Sequence, residues 1–199
     1  MFEAILFDFD GVIADSESVH FASWAEILRP LEIDVSWDFY CANCIGVSDR
    51  RTLDLFCQGR DFSVGQLDGL CIIKRELFRE KAVASPPVSM ETRALLAEVK
   101  QRFKIAVVTS SGSNEVKPVL EVTGLWPLLD AFVCGGDVAR LKPFPDPYLM
   151  AARLLGVSAA LVVEDSDPGA ESGRAAGFEV LRIPHPDQLA TLVRGRLSQ

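Results

Sequence analysis

Residues 4–12 read AILFDFDGV: four apolar residues, then Asp8 and Asp10 one residue apart, then a glycine. An apolar run followed by turn-forming residues predicts a short buried strand that ends just before Asp8. Burying an unpaired carboxylate is costly or shifts its pKa, so the two aspartates indicate a metal ion, a cationic neighbour or a surface turn. Local preferences alone favour the turn, because Asp and Gly are common turn residues. The remainder of the chain must therefore decide among the three.

The composition of the 199-residue chain favours a globular protein with a sizeable core, since 49% of its residues are hydrophobic. The formal net charge of −8 argues against nucleic-acid and anionic-membrane partners, because both need an excess of Lys and Arg. The sequence has no apolar segment of about 18 residues and no basic region typical of a secretory signal. We therefore expect a cytoplasmic protein.

The five cysteines, an odd number, fit reduced thiols better than a disulfide framework. Cys41 and Cys44 have the spacing of a zinc knuckle, but Cys57 and Cys71 lie too far apart to form the second half of one. Because Cys57 and Cys71 fall on apolar helical positions, we interpret these two cysteines as core residues rather than metal or redox ligands.

The chain after the first strand predicts two regions of different character. Residues 16 to about 83 carry three segments with helical apolar spacing, at 17–28, 50–57 and 66–79, and read as a small all-helical unit. The sequence Ala84-Ser85-Pro86-Pro87 then breaks the pattern, as a linker would. Beyond it, helical segments at 91–102, 113–123, 146–155 and 169–176 alternate with apolar strand-like runs at 104–109, 131–134, 160–163 and 179–183.

Five apolar strands that alternate with helices predict an open parallel α/β sheet covered on both faces. Such sheets bind ligands beyond the carboxyl ends of their strands. The unusual polar residues all follow predicted strands: Asp8 and Asp10, Thr109 and Ser110, Glu164 and Asp165, with Lys142 in the loop after the third strand. Carboxylates suit Mg²⁺, hydroxyls bind phosphate oxygens and a lysine offsets negative charge, so the pattern indicates phosphoryl chemistry.

Four motifs in order resemble the haloacid dehalogenase (HAD) superfamily, in its branch with a small helical cap that includes β-phosphoglucomutase and phosphoglycolate phosphatase. The motifs are DFDGV at 8–12 with DSE at 15–17, VVTSS at 107–111, KPFPD at 142–146, and VVEDS at 162–166 with Gly169. The resemblance implies a Rossmann-like catalytic core formed by residues 1–15 and 84–199. It also implies that residues 16–83 form an inserted cap that acts as a lid.

The resemblance implies a metal site for Mg²⁺. By it, Asp8 is the nucleophile and a metal ligand, while Asp10 is the acid/base and offers its backbone carbonyl to the metal. Asp165 is a further carboxylate ligand, and Glu164 matches a position that binds the metal in some relatives.

The resemblance also assigns a phosphate site. Thr109 would hold the phosphate with help from Gly11 and Ser110, and Lys142 would neutralise the phosphate against Asp8. These assignments make Asp8, Asp10, Thr109 and Lys142 the expected catalytic residues.

Two residues of the predicted cap are candidates for substrate binding. His20 matches a cap-proximal histidine of sugar-phosphate mutases and related phosphatases, with a packed helix residue as the alternative. Where the mutases have an arginine after the serine of the Gly-Val-Ser loop, this chain has Asp49 followed by Arg50 and Arg51. Arg50 can take over the arginine's role or can belong to a solvated helix face.

The resemblance predicts an Mg²⁺-dependent phosphatase that hydrolyses a small phosphorylated metabolite, such as a sugar or sugar-acid phosphate, through an aspartyl-phosphate. Dehalogenases of the superfamily lack the acid/base supplied here by Asp10. The alternatives are a sugar phosphomutase of the β-phosphoglucomutase type and a non-catalytic protein that binds a phosphorylated ligand. We expect a monomer or weak dimer without nucleic-acid or membrane partners.

Overall fold

The computed structural model describes residues 2–199 and divides into two compact units. The first combines the residues up to Asp15 with Pro86–Gln199, and the second is the intervening segment Ser16–Ser85. The sequence predicts an insertion that ends at residue 83, two residues earlier, and the difference arises because the last helix of the inserted unit continues to Ala84. No helix within the described residues is both long enough and apolar enough to cross a membrane.

The first unit contains a parallel sheet. Its strands are β1 (Ala4–Phe7), β2 (Lys104–Val108), β3 (Ala131–Val133), β4 (Ala160–Glu164) and β5 (Glu179–Arg182). They pair in the order β3-β2-β1-β4-β5, and every pair is parallel. All residues of β1 and β4 are buried, and because successive side chains of a strand point to opposite faces, both faces at the sheet centre are covered. The predicted α/β fold is confirmed.

The strand order determines which polar residues meet. After β1 the chain adds β2 and β3 on one side, and then β4 and β5 on the other, so the topology reverses beside β1. Phe7 pairs with Val107 of β2 and with Val163 of β4. Glu164 is therefore level with Asp8, and Thr109 lies one residue further along on the opposite side. This edge is the switch point at which open α/β sheets bind their ligands.

Nine α-helices occur within residues 2–199. The inserted unit contains α1 (Glu17–Leu28), α2 (Trp37–Asn43), α3 (Asp49–Phe56) and α4 (Val64–Ala84). The sheet unit contains α5 (Met90–Val99), α6 (Ser113–Val122), α7 (Asp146–Leu155), α8 (Asp167–Ala175) and α9 (Leu189–Leu197). Helix α8 begins two residues earlier than predicted, because the Ser166 hydroxyl caps it by accepting from the Gly169 amide at 3.1 Å.

The inserted unit has a hydrophobic core of its own. The buried members of this core are Trp24, Leu28, Ile33, Tyr40, Cys44, Leu53, Cys57, Leu67 and Cys71. Cys57 and Cys71 therefore lie where the sequence predicts them, packed among apolar side chains, and neither is in a disulfide.

Candidate active site

Asp8 and Asp10 lie on a tight loop at the carboxyl end of β1. The Asp8 amide donates to the Val163 carbonyl at 3.0 Å and so extends the pairing of β1 with β4 by one residue. The Phe9 carbonyl then accepts from the Ala14 amide at 2.9 Å, and Gly11 turns the chain with a φ of +70°. Asp8 is buried, with 7% of its surface exposed. The backbone thus fixes both aspartates at the centre of the sheet edge.

Two glycines make room for the acidic residues Glu164 and Asp165 at the end of β4. A Cβ on Gly11 would lie 2.1 Å from Asp165 Oδ2, and a Cβ on Gly169 would lie 1.8 Å from Glu164 Oε1. Both distances are far inside van der Waals contact, so only glycine fits at either position. As a result, Asp8, Glu164 and Asp165 each present a carboxylate oxygen within 4.8 Å of the others.

Lys142 connects two of these carboxylates to the sheet. Its Nζ lies 2.9 Å from Asp8 Oδ1 and 2.7 Å from Glu164 Oε1, and it donates to the Val108 carbonyl at 2.9 Å. Burial lowers the pKa of Lys142, but the carboxylates of Asp8 and Glu164 outweigh burial and hold the pKa above its usual value. Lys142 is therefore a fixed cation beside the predicted nucleophile.

The carboxylate of Glu164 is surrounded by donors. Oε1 accepts from Lys142 Nζ and from the Tyr148 hydroxyl at 2.8 Å, while Oε2 accepts from Ser166 Oγ at 3.0 Å and from the amides of Asp165 and Ser166. Burial raises the pKa of Glu164, but Lys142 and the other donors outweigh burial and lower it. A carboxylate offers about four lone-pair sites, so five donors leave Glu164 little capacity for a metal. Its contacts here hold Lys142 and the loop after β4.

The electrostatics of the cluster suit a divalent cation. Burial and repulsion from Glu164 raise the pKa of Asp8 well above its usual value despite the attraction of Lys142. Burial and the same repulsion raise the pKa of Asp165 to about 7. Three carboxylates face a single lysine, so a cation with hard oxygen preference, such as Mg²⁺, would offset the excess negative charge. The donor set thus fits the predicted metal.

The end of β2 supplies hydroxyl groups. Thr109 is buried, and its Oγ1 accepts from the Ser111 amide at 3.0 Å, so its own O–H can donate to a phosphate oxygen. Ser110 is exposed, and its carbonyl lies against Gly135, where a Cβ would be only 2.3 Å away. The Ser111 hydroxyl donates to Asp10 Oδ2 at 2.7 Å.

Several residues in contact with the site are not among the predicted site residues. Tyr148 binds Glu164, Ser111 binds Asp10, and Arg182 donates to the Asp165 carbonyl and, at 3.0 Å, to Asp167. Ser111 has a sequence signal, because it belongs to the hydroxyl run 109–111. Tyr148 resembles any apolar position of α7, and Arg182 resembles a surface residue at the end of β5.

The two predicted substrate-binding residues of the inserted unit occupy different surroundings. His20 stacks on Phe78 with 3.9 Å between ring centroids, and its Nδ1 lies 2.8 Å from Nζ of the buried Lys74. Arg50 is partly exposed and pairs with Asp54 at 3.2 Å and with Asp68 at 2.7 Å. The other eight predicted site residues belong to the sheet unit, and both substrate roles in the inserted unit stay predictions.

Comparison with known protein families accounts for this arrangement. The family model for haloacid dehalogenase-like hydrolases matches residues 5–183 of the sequence. The chain belongs to this family. The span contains all four motifs, so the predicted HAD superfamily is confirmed, together with the predicted class of enzyme, a phosphoric monoester hydrolase.

Several HAD-like hydrolases resemble the chain over most of its length. The phosphorylated carbohydrates phosphatase of Thermotoga maritima is 29% identical over 183 residues, which cover 89% of this chain and 82% of the relative. The fructose-1-phosphate phosphatase YqaB of Escherichia coli is 30% identical over 190 residues, covering 92% and 96%. The crystal structure of CbbY from Rhodobacter sphaeroides in complex with phosphate has a TM-score of 0.80 at 26% identity, covering 92% and 87%.

Proposed function

We propose that this HAD-like phosphatase is Mg²⁺-dependent and hydrolyses a small sugar phosphate through an aspartyl-phosphate on Asp8. The observation that supports this best is the Asp8 carboxylate, held 2.9 Å from Lys142 and grouped with Asp165 at the switch point of the sheet. The Thermotoga relative is a phosphatase of phosphorylated carbohydrates and the Escherichia relative a phosphatase of fructose 1-phosphate, which favours a sugar phosphate as the substrate. A cytoplasmic monomer or weak dimer is part of the same proposal.

The first half of the reaction would transfer the phosphoryl group to Asp8. Thr109 and Lys142 would bind the phosphoryl oxygens while a carboxylate oxygen of Asp8 forms a bond to phosphorus. The ester P–O bond breaks, its electron pair stays on the ester oxygen, and Asp10 gives that oxygen a proton. When bound by Asp8, Asp165 and the Asp10 carbonyl, Mg²⁺ would supply positive charge against the phosphoryl group and the carboxylates.

The second half would release phosphate. Asp10, now a carboxylate, takes a proton from water as the water oxygen bonds to phosphorus. The bond between phosphorus and Asp8 breaks, and its electron pair returns to the Asp8 carboxylate. The chain thus regains both groups in their original protonation states.

The test is a screen of sugar and sugar-acid monophosphates with Mg²⁺, in which the release of inorganic phosphate is measured. We expect turnover of at least one sugar phosphate, its abolition by EDTA, and its recovery with added Mg²⁺. Mass spectrometry of acid-quenched wild-type protein should show the added mass of a phosphoryl group. Asp8→Asn should abolish both turnover and this added mass, whereas Asp61→Asn in an exposed loop should change neither. Activity that survives both EDTA and Asp8→Asn would contradict the proposal.

The phosphomutase alternative has a weaker basis in the inserted unit. A mutase needs a cation after Ser48 for the second phosphate of its bisphosphate, but Asp49 occupies that position. Asp49 accepts from Lys74 at 2.5 Å and from Arg75 at 2.9 Å, so these two cations are already paired with it. We expect no interconversion of hexose 1- and 6-phosphates in the presence of a bisphosphate primer. A non-catalytic binding protein would instead bind the same esters without releasing phosphate.

A further inference from the structure

We propose that Ser111 is a positioning residue for the acid/base Asp10, an inference that rests on the proposed phosphatase function. The Ser111 hydroxyl donates to Asp10 Oδ2 at 2.7 Å, which joins the end of β2 to the loop after β1. The two residues lie 101 positions apart in the sequence. The contact is therefore a product of the strand order, which places β2 directly beside β1.

The backbone of Ser111 is fixed on both sides. Its amide donates to Thr109 Oγ1 at 3.0 Å, and its carbonyl accepts from the Gly135 amide at 3.0 Å. Gly135 also lacks the Cβ that would lie 2.3 Å from the Ser110 carbonyl, so the loop after β3 can press closely on this turn. The turn at the end of β2 thus sets the direction of the Ser111 hydroxyl.

The partner of this hydroxyl is fixed as well. The Gly11 amide, next to Asp10, donates to the Ala14 carbonyl at 2.9 Å and closes the loop on which Asp10 lies. With both backbones held, the hydrogen bond between Ser111 and Asp10 selects one orientation of the Asp10 carboxyl group. An acid that must meet the ester oxygen of a bound substrate depends on such an orientation, because a displacement of about 1 Å can cost roughly 100-fold in rate.

A hydroxyl suits both protonation states of Asp10. A serine can donate a hydrogen bond to a carboxylate and can accept one from a carboxylic acid after rotating its O–H. Asp10 is an acid in the first half of the reaction, when it protonates the ester oxygen, and a base in the second, when it takes a proton from water. Ser111 can therefore keep the carboxyl group in place through both halves.

This role predicts a dependence on the leaving group. The leaving oxygen of p-nitrophenyl phosphate departs readily without a proton, whereas that of phenyl phosphate needs protonation by an acid. The two esters have nearly the same shape, so a general loss of packing or of phosphate binding affects both equally. A misplaced Asp10 affects phenyl phosphate more, since kcat/KM includes the step in which the ester bond breaks.

The experiment compares kcat/KM for the two esters in the full chain with Mg²⁺. Ser111→Ala should lower kcat/KM for phenyl phosphate by about tenfold or more, against less than about threefold for p-nitrophenyl phosphate. Ser111→Thr retains the hydroxyl and should keep the wild-type ratio. Ser158→Ala is the control: Ser158 binds Glu3 at the opposite end of the sheet and should leave both values unchanged.

Three other outcomes overturn the inference. An equal fall for both esters assigns Ser111 a structural role, and an unchanged ratio with full activity assigns it none. Ser111→Cys, which retains the size but donates weakly, gives the same comparison if the alanine variant does not fold. A wild-type protein inactive toward both esters and the sugar phosphates contradicts the proposed function itself, and the inference with it.

Discussion

At the level of single residues, the site depends on side chains and glycines that hold the reacting groups without reacting themselves. Glu164 holds Lys142 in place and is itself held by Tyr148 and Ser166. Lys142 lies in the loop after β3, and its side chain extends past the end of β2 to contact Asp8. A motif identifies the residues at its positions, but the directions of their hydrogen bonds follow from three-dimensional packing.

Gly11 offers the sharpest test of this close packing. Gly11→Ala adds a Cβ that would lie 2.1 Å from Asp165 Oδ2, so the Asp165 carboxylate must move from its present position in the cluster. We expect a loss of about tenfold or more in activity at limiting Mg²⁺ and a higher Mg²⁺ concentration at half-maximal rate, because ligand geometry is disturbed. The measurement is phosphate release as a function of Mg²⁺ concentration.

Gly124→Ala provides the matched control. Gly124 has nearly the same backbone conformation, with a φ of +73°, but open space around its Cβ position. Both substitutions place an alanine in a left-handed backbone conformation, which costs about 1–2 kcal/mol. Only Gly11→Ala adds a clash with Asp165, the proposed metal ligand. If the two variants show the same Mg²⁺ dependence, the packing of Gly11 against Asp165 is unimportant.

At the level of secondary structure, the sequence predicts those elements whose apolar pattern is strong. Helices α1 and α7 match their predicted ranges, 17–28 and 146–155, and the five strands differ from prediction by a residue at most. Helices α2 and α9 are not predicted. Helix α2 has seven residues, too few for a helical period to show, and α9 contains Gly195, a weak helix former.

The candidate site divides in the same way. Asp8, Thr109 and Asp165 follow buried strands, so their convergence can be predicted from the rule that parallel strands end at one edge. The contact of Tyr148 with Glu164 cannot be, because a tyrosine on the apolar face of α7 looks like any core residue. Likewise, the sequence shows Asp49 only as an acid where the mutases have an arginine, whereas the structure pairs it with a buried lysine.

The pair between Lys74 and Asp49 is the most buried ion pair that the described residues form in the helical unit. The Lys74 side chain is 2% exposed and that of Asp49 is 16% exposed. Asp49→Asn leaves the lysine charge buried without its anion, so we expect a loss of about 3–5 kcal/mol in unfolding free energy at pH 7. Asp68→Asn is the control and should cost less than about 1 kcal/mol, because its pair with Arg50 is exposed.

The same pair predicts a pH dependence. Burial raises the pKa of Asp49, but Lys74, Arg75 and His20 outweigh burial and lower it. A carboxyl with a depressed folded-state pKa stabilises the protein above its unfolded pKa, and that stability is lost as pH falls through the folded pKa. The difference in unfolding free energy between wild type and Asp49→Asn should thus be constant above about pH 5 and shrink below about pH 4. Urea unfolding at a series of pH values measures it, and a difference that grows in acid would contradict the assignment.

For the molecule as a whole, the fold concentrates negative charge at one place in a chain that is already acidic. The net charge is −8, and Asp8, Glu164 and Asp165 meet at the switch point, where Lys142 pairs with two of them. The sequence places these charges at the ends of predicted strands, and the pairing of β1 with β4 brings those two strand ends together. Such a site opposes folding unless a cation is bound, so stability and metal binding should be linked.

Asp165→Asn tests that link, because the stability of the variant relative to the wild type should differ between EDTA and Mg²⁺. The folded-state pKa of Asp165 is raised to about 7, above its unfolded value, so this carboxyl stabilises the protein least once pH has risen through 7. In EDTA at pH 8 the variant lacks this charge and should melt at a higher temperature than the wild type. With Mg²⁺ at about ten times its Kd the wild type should gain about 1.4 kcal/mol, or roughly 3–6 °C, whereas the variant, which lacks a metal ligand, gains little. The measurement is the melting temperature of both proteins with EDTA and with Mg²⁺, and Mg²⁺ should raise that of the wild type more than that of the variant. An equal rise in both would mean that Asp165 does not bind the metal.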